Sequence, residues 1–111
     1  MARNLERRTK LADAAVKVLA REGALGLTVD AEAGVPKGTA SNYFASRDGI
    51  VEAILLRIGE RLQPDPKLHD SLARRTPNIE LFAAYLRDIV RRLTTDRDAA
   101  IALFELRLEA T

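Results

Sequence analysis

Residues 33–44 read Ala33-Gly34-Val35-Pro36-Lys37-Gly38-Thr39-Ala40-Ser41-Asn42-Tyr43-Phe44. Gly34 can turn the chain, because a residue without a Cβ enters the left-handed region freely. Pro36 suits the first position of a helix, where its missing N–H costs nothing. The stretch therefore predicts a tight turn pinned by Val35, then a short helix from Pro36 to Tyr43 or Phe44. Between Pro36 and Asn42 few side chains can anchor a core, so the exposed face of this helix suits a polar partner. Phe44 reads as a core anchor, whereas the Tyr43 hydroxyl needs something polar.

Upstream, Leu5, Leu11, Ala12, Ala15, Val16, Val18 and Leu19 recur at three- and four-residue spacing, which predicts an amphipathic helix over 5–22 closed by Gly23. Thr28 is a good N-cap for a second helix beginning at Val29. That helix has room only to Ala33, well short of the usual length of about 11 residues. Downstream, Ser46 is the expected N-cap of a fourth helix over 47–62, with Ile50, Val51, Ile54, Leu55, Ile58 and Leu62 as an apolar stripe.

Gln63-Pro64-Asp65-Pro66 is the clearest break in the chain, because proline excludes the helical conformation for the residue before it and donates no hydrogen bond. It divides the sequence into residues 1–46, a connecting helix over 47–62, and residues 63–111. In the last part a short helix is expected over 67–74. A stronger one opens at Thr76-Pro77 and carries Ile79, Phe82, Leu86, Ile89, Val90 and Leu93 on one face. Thr95 with Asp98 resembles a capping box for a final helix over 96–111, apolar on several sides and expected to lie between neighbours.

The 111 residues are 47% hydrophobic and 5% aromatic, which favours an all-α fold packed through aliphatic side chains. There is no cysteine, so neither a disulfide framework nor a thiolate metal site is available. No stretch has the length of a membrane span, and a cytoplasmic protein without membrane contact is expected. His69 is the only histidine. Alone it supplies neither a metal site nor a catalytic triad, and it reads as a surface residue. Residues 34–38 lack the spacing of a phosphate-binding loop, so an enzyme is not expected and no cofactor or metal is implied. The formal net charge is +2, yet residues 1–10 set Arg3, Arg7, Arg8 and Lys10 against Glu6 alone.

Two short helices joined at Gly34 behind a long basic helix match the helix-turn-helix plan, in which the second short helix reads the major groove of double-stranded DNA. On that plan Lys37 offers charge to a phosphate and Gly38 permits close backbone approach. Thr39 presents a hydroxyl and a methyl, Asn42 reaches a base edge or a phosphate, and the N–H groups at the helix start hold phosphates. A helical module that binds only protein, through the long apolar C-terminal helix, is the competing reading.

The segment G-V-P-K-G-T-A-S-N-Y-F-A-S-R-D-G-I, with A-A-V-K-V-L-A-R-E-G upstream, resembles the DNA-binding domain of the TetR family of bacterial transcriptional regulators over about residues 7–58. The resemblance implies a three-helix DNA-binding domain, joined by a fourth helix to an all-helical domain that binds a small-molecule inducer and forms a homodimer. It further implies phosphate contacts from Thr28, Tyr43 and Arg47, with Lys37, Gly38 and Thr39 at the groove. Ser41 stands where the family commonly has a tyrosine, so operator preference does not carry over. Phe82, Tyr85, Leu86, Phe104 and Leu108 are the candidate inducer pocket. Two departures concern length. The family has about three more residues between the threonine and the turn glycine, and it continues beyond Thr111. Residues missing from the sequence are the favoured explanation, and the C-terminal domain is expected to be incomplete.

Overall fold

The computed structural model describes residues 2–23, 29–44 and 46–110. Among them are seven helices and no strand: α1 Ala2–Glu22, α2 Val29–Ala33, α3 Thr39–Tyr43, α4 Arg47–Arg61, α5 Pro66–Ala73, α6 Ile79–Thr95 and α7 Arg97–Ala110. The fold is all-α.

Helix α1 is the hub, because its apolar stripe faces three neighbours. Leu11, Ala15, Val16, Val18 and Leu19 are buried in one cluster with Val29 and Ala33 of α2, Phe44, Ile54 and Ile58 of α4, and Ala99, Ala102 and Leu106 of α7. Leu5, one turn ahead of that stripe, is exposed. Gly23 closes α1 at φ 73°, and its N–H donates to the Leu19 carbonyl at 2.8 Å. Helix α2 has the predicted bounds. It is short but not unanchored: Val29 and Ala33, four residues apart, share its buried face. On its outer side Glu32 pairs with Lys17 at 3.1 Å and Arg21 at 3.3 Å on α1. Hydrogen bonds from Lys17, then Arg21, hold the Glu32 carboxyl below its ordinary range.

The starts of α3, α6 and α7 differ from the sequence expectation, and that of α4 agrees with it. Helix α3 begins at Thr39 rather than Pro36, because Gly38 at φ 93°, ψ −6° lies outside helical space. Ser46 caps α4 as expected, its hydroxyl accepting from Gly49 N–H at 3.1 Å. Helix α6 begins at Ile79, not at Thr76-Pro77, because the Asn78 side chain accepts from Leu81 N–H at 2.8 Å. Helix α7 is capped by Asp96, which accepts from Ala99 N–H at 3.2 Å, so the Thr95 and Asp98 box does not form its start.

The long helices of the C-terminal part bury less than their sequences suggest. Helix α6 turns Leu81 and Asp88 inward, while Ile79, Phe82, Leu86, Ile89 and Val90 are exposed. Helix α7 meets α1 and α4 mainly through alanines and Leu106, small side chains that let the axes approach, and leaves Leu103 and Phe104 exposed. It is buried on one side rather than several.

A run of ion pairs fastens α4 to α1 and α7. Arg57 makes a bidentate contact with Asp13 at 2.7 and 3.2 Å and also donates to Glu60 at 2.9 Å. Arg61 is bidentate on Asp96, both contacts 2.8 Å, and reaches Asp13 at 3.2 Å. From α6, Arg92 donates to the Leu62 carbonyl at 2.8 Å and to Asp88 at 3.0 Å, and Arg91 also pairs with Asp88. Arginine suits this role because its planar fork meets a carboxylate with two parallel bonds. Hydrogen bonds donated to Asp13 and Asp96 respectively hold Arg57 and Arg61 more firmly protonated.

Asp96 has its carboxyl held below the ordinary range, first by the Arg61 hydrogen bonds and then by Ala99 N–H, against partial burial. A depressed carboxyl stabilises the fold fully above its unfolded pKa of about 3.9, and that contribution disappears as pH falls through the folded value. We expect Asp96→Asn to cost about 1–2 kcal/mol near neutral pH. Its unfolding free energy should also fall less than wild type between neutral pH and pH values below the folded one. Urea titrations followed by circular dichroism at both pH values measure this. An acid dependence unchanged by the substitution would remove Asp96 from the account.

Candidate nucleic-acid interface

The turn between α2 and α3 is built from backbone geometry that only glycine takes cheaply. Gly34 has φ 71°, and the next N–H, from Val35, donates to the Asp30 carbonyl at 3.0 Å, closing α2. Residues 36–39 then form a second turn, in which Thr39 N–H donates to the Pro36 carbonyl at 3.2 Å. The dihedrals of Gly38 are those that a type II turn requires at its third position. A Cβ on Gly38 would meet nothing within 4 Å, so the glycine serves the backbone conformation and not a close internal contact.

One carboxylate ties the two short helices together. The Asp30 side chain accepts from Gly38 N–H and from Ala40 N–H, each at 2.8 Å. It thus takes up two N–H groups at the start of α3 that no intrahelical carbonyl can reach. This corrects the expectation that those N–H groups hold phosphate, since Asp30 already occupies them and places negative charge there. The residue type gave little warning, because in the first turn of α2 an aspartate reads as a partner for its own helix terminus. Its real partners lie eight and ten residues away.

The remaining candidates divide between surface and core as a reading helix requires. Lys37, Ser41 and Asn42 are exposed on one side of the turn and α3. Ala40 and Tyr43 are half-buried and pack on the core cluster, and Phe44 is buried in it. Thr39 is half-buried, and its hydroxyl donates to the Pro36 carbonyl at 2.6 Å, so its proton is committed to the turn while its methyl remains for contact. Arg47 is exposed at the start of α4. Thr28 lies outside the described residues.

The structure describes four of the five candidate inducer-pocket side chains. Phe82, Leu86 and Phe104 are exposed, Tyr85 is half-buried with its ring edge-on to exposed His69 at 6.1 Å, and the Leu108 side chain lies outside the described residues. Two clefts lined by described residues lie between α1 and α4, and beside Arg61, Asp88 and Asp96. Among the described residues no group of three or more potential ligands could hold a metal ion, and no helix is long and apolar enough to cross a membrane.

Removing the Asp30 carboxylate leaves two backbone donors without partners, at a cost of about 1–3 kcal/mol. In Asp30→Ala we expect hydrogen exchange at the Gly38 and Ala40 amides to accelerate more than at Leu19 or Ile54. Exchange unchanged at those two amides would show that the clamp does not hold the turn.

Residues 11–54, from the middle of α1 to the middle of α4, match the family described as bacterial regulatory proteins, tetR family. No curated protein and no solved structure matches the chain. The matched segment contains the turn, the Asp30 clamp and the exposed face of α3, and over these residues the chain is similar to the DNA-binding part of bacterial regulatory proteins of the tetR family.

Proposed function

We propose that the chain is a ligand-responsive repressor that binds a pseudo-palindromic operator as a homodimer and releases it when a small-molecule inducer binds. Residues 1–46 form the DNA-binding domain, 47–62 the connecting helix, and 63–111 belong to the regulatory and dimerising part. The observation that carries the reading is the division of α3 and its turn, with Lys37, Ser41 and Asn42 outward and Ala40, Tyr43 and Phe44 toward the core. Side chains on one exposed face of a pinned helix enter the major groove together. Lys37 neutralises a phosphate, Asn42 bonds a base edge or phosphate, and the Thr39 methyl meets a thymine methyl. Tyr43 and Arg47 bind phosphates beside the groove. In a two-fold dimer the two reading helices address half-sites about 34 Å apart.

The exposed apolar stripe of α6 supports a subunit or partner contact in the C-terminal part, since contiguous apolar surface of this kind marks interaction sites. Induction follows as a population shift: an inducer that prefers the state with wrongly spaced reading helices lowers operator affinity by its differential affinity for the two states. The ion pairs joining α4 to α1 and α7 give such a shift a mechanical path, because displacing α7 would pull on Arg61 and through Asp13 on α1.

Lys37→Ala should weaken DNA binding and lower the slope of log affinity against log salt by about 0.9, the contribution of one phosphate contact. Fluorescence anisotropy across salt concentrations measures it. A steep slope that the substitution leaves unchanged would remove Lys37 from the interface. A wild-type affinity indifferent to salt would favour a helical module that binds only protein.

A further inference from the structure

The basic N-terminal arm has a member whose position the function above does not use. Arg8 projects from α1, with its guanidinium carbon 5.1 Å from the centroid of the Phe44 ring. Phe44 is the C-cap of α3, directly after Tyr43, and its side chain is buried in the core cluster. Arg8 thus stacks on an aromatic anchor of the reading helix while remaining exposed itself. It lines a cleft together with Tyr43, Ser46 and Gly49, the residues at the end of α3 and the first turn of α4.

We propose that Arg8 is a DNA phosphate-binding residue, positioned by its cation–π contact with Phe44 on the flank of the helix-turn-helix. This rests on the DNA-binding reading and extends the footprint from the turn and α3 to α1. Three observations support it. The first is charge: the described ion pairs of Arg21, Arg57, Arg61, Arg74, Arg91 and Arg92 each engage a carboxylate, whereas the described contact of Arg8 is an aromatic face, with Glu52 and Glu60 further along the same cleft. The second is order. A guanidinium held on a ring has already lost much of the freedom that a phosphate contact would otherwise remove, and Arg8 remains exposed. The third is location, because the cleft wall it shares with Tyr43 and Ser46 adjoins the end of the exposed α3 face.

A purely structural role, covering the Phe44 ring, predicts something different, and two substitutions separate the roles. Arg8→Met retains an apolar, polarisable side chain over the ring but removes the charge. Arg8→Lys retains the charge and gives up the planar fork. The probe is a fluorescein-labelled duplex of ~30 base pairs of mixed sequence, titrated by anisotropy between ~50 and ~200 mM salt, since phosphate contacts operate without a particular operator. We expect Arg8→Met to lower the salt slope by about 0.9, so that its affinity falls about threefold less than wild type across this range, and Arg8→Lys to keep the wild-type slope. A wild-type slope in Arg8→Met overturns the proposal, whatever happens to its thermal stability. Lys37→Ala, run alongside, separates the failures. A reduced slope there with an unchanged one in Arg8→Met rejects Arg8 alone, whereas a wild-type protein without a salt-dependent complex rejects the DNA-binding reading itself.

Discussion

A five-residue helix has too few internal hydrogen bonds to persist in water, and both helices of the turn motif are of that length. What makes them a rigid unit is the Asp30 carboxylate, which spans from α2 to two backbone N–H groups at the start of α3. The charge of the acceptor strengthens both bonds, and partial burial shields them from competing water. Gly34 and Gly38 supply the left-handed conformations that let the chain fold back onto that carboxylate. With the N–H groups satisfied internally, the outward surface of α3 is defined by its side chains alone.

Everything else in the matched segment holds that unit against α1. Val29 and Ala33 seat α2, Phe44 seats the end of α3, and Ile54 and Ile58 seat α4, all in one cluster with the buried stripe of α1. The same cluster takes in Ala99, Ala102 and Leu106 from α7. The proline-rich break after α4 therefore interrupts the helical run without separating the packing, and Arg61 on Asp96 ties the same helices at the surface. In the induction scheme proposed above, a displacement of α7 would reach α3 through these few intermediates.

The all-α class, the bounds of α2, the Ser46 cap and the closing role of Gly23 were legible because each depends on neighbours within a turn. The start of α3 was not, because proline chemistry alone favours Pro36 while Gly38 decides the outcome through a turn whose type is set by Asp30. The same holds for α6: Thr76-Pro77 and Asn78 are both good caps, and only the side-chain geometry selects Asn78. Periodicity gave the apolar stripe of α6 correctly as a stripe, yet it carries no information on what faces it, and Phe82 and Leu86 are exposed. Long-range contacts such as Asp30 with Ala40 and Arg8 with Phe44 have no local signature at all. Both became visible only once α1, α2 and α3 were assembled.

The central claim is that the outward surface of the turn and α3 is the surface that meets DNA. Amide chemical-shift mapping tests it most directly, with 15N-labelled protein titrated with duplex DNA. The account predicts that the largest changes fall on Lys37 to Tyr43 and at Arg47, with the buried stripe of α1 and the exposed stripe of α6 little affected. Changes concentrated on Ile79, Phe82, Leu86 and Ile89, with Lys37 to Tyr43 unmoved, would contradict it.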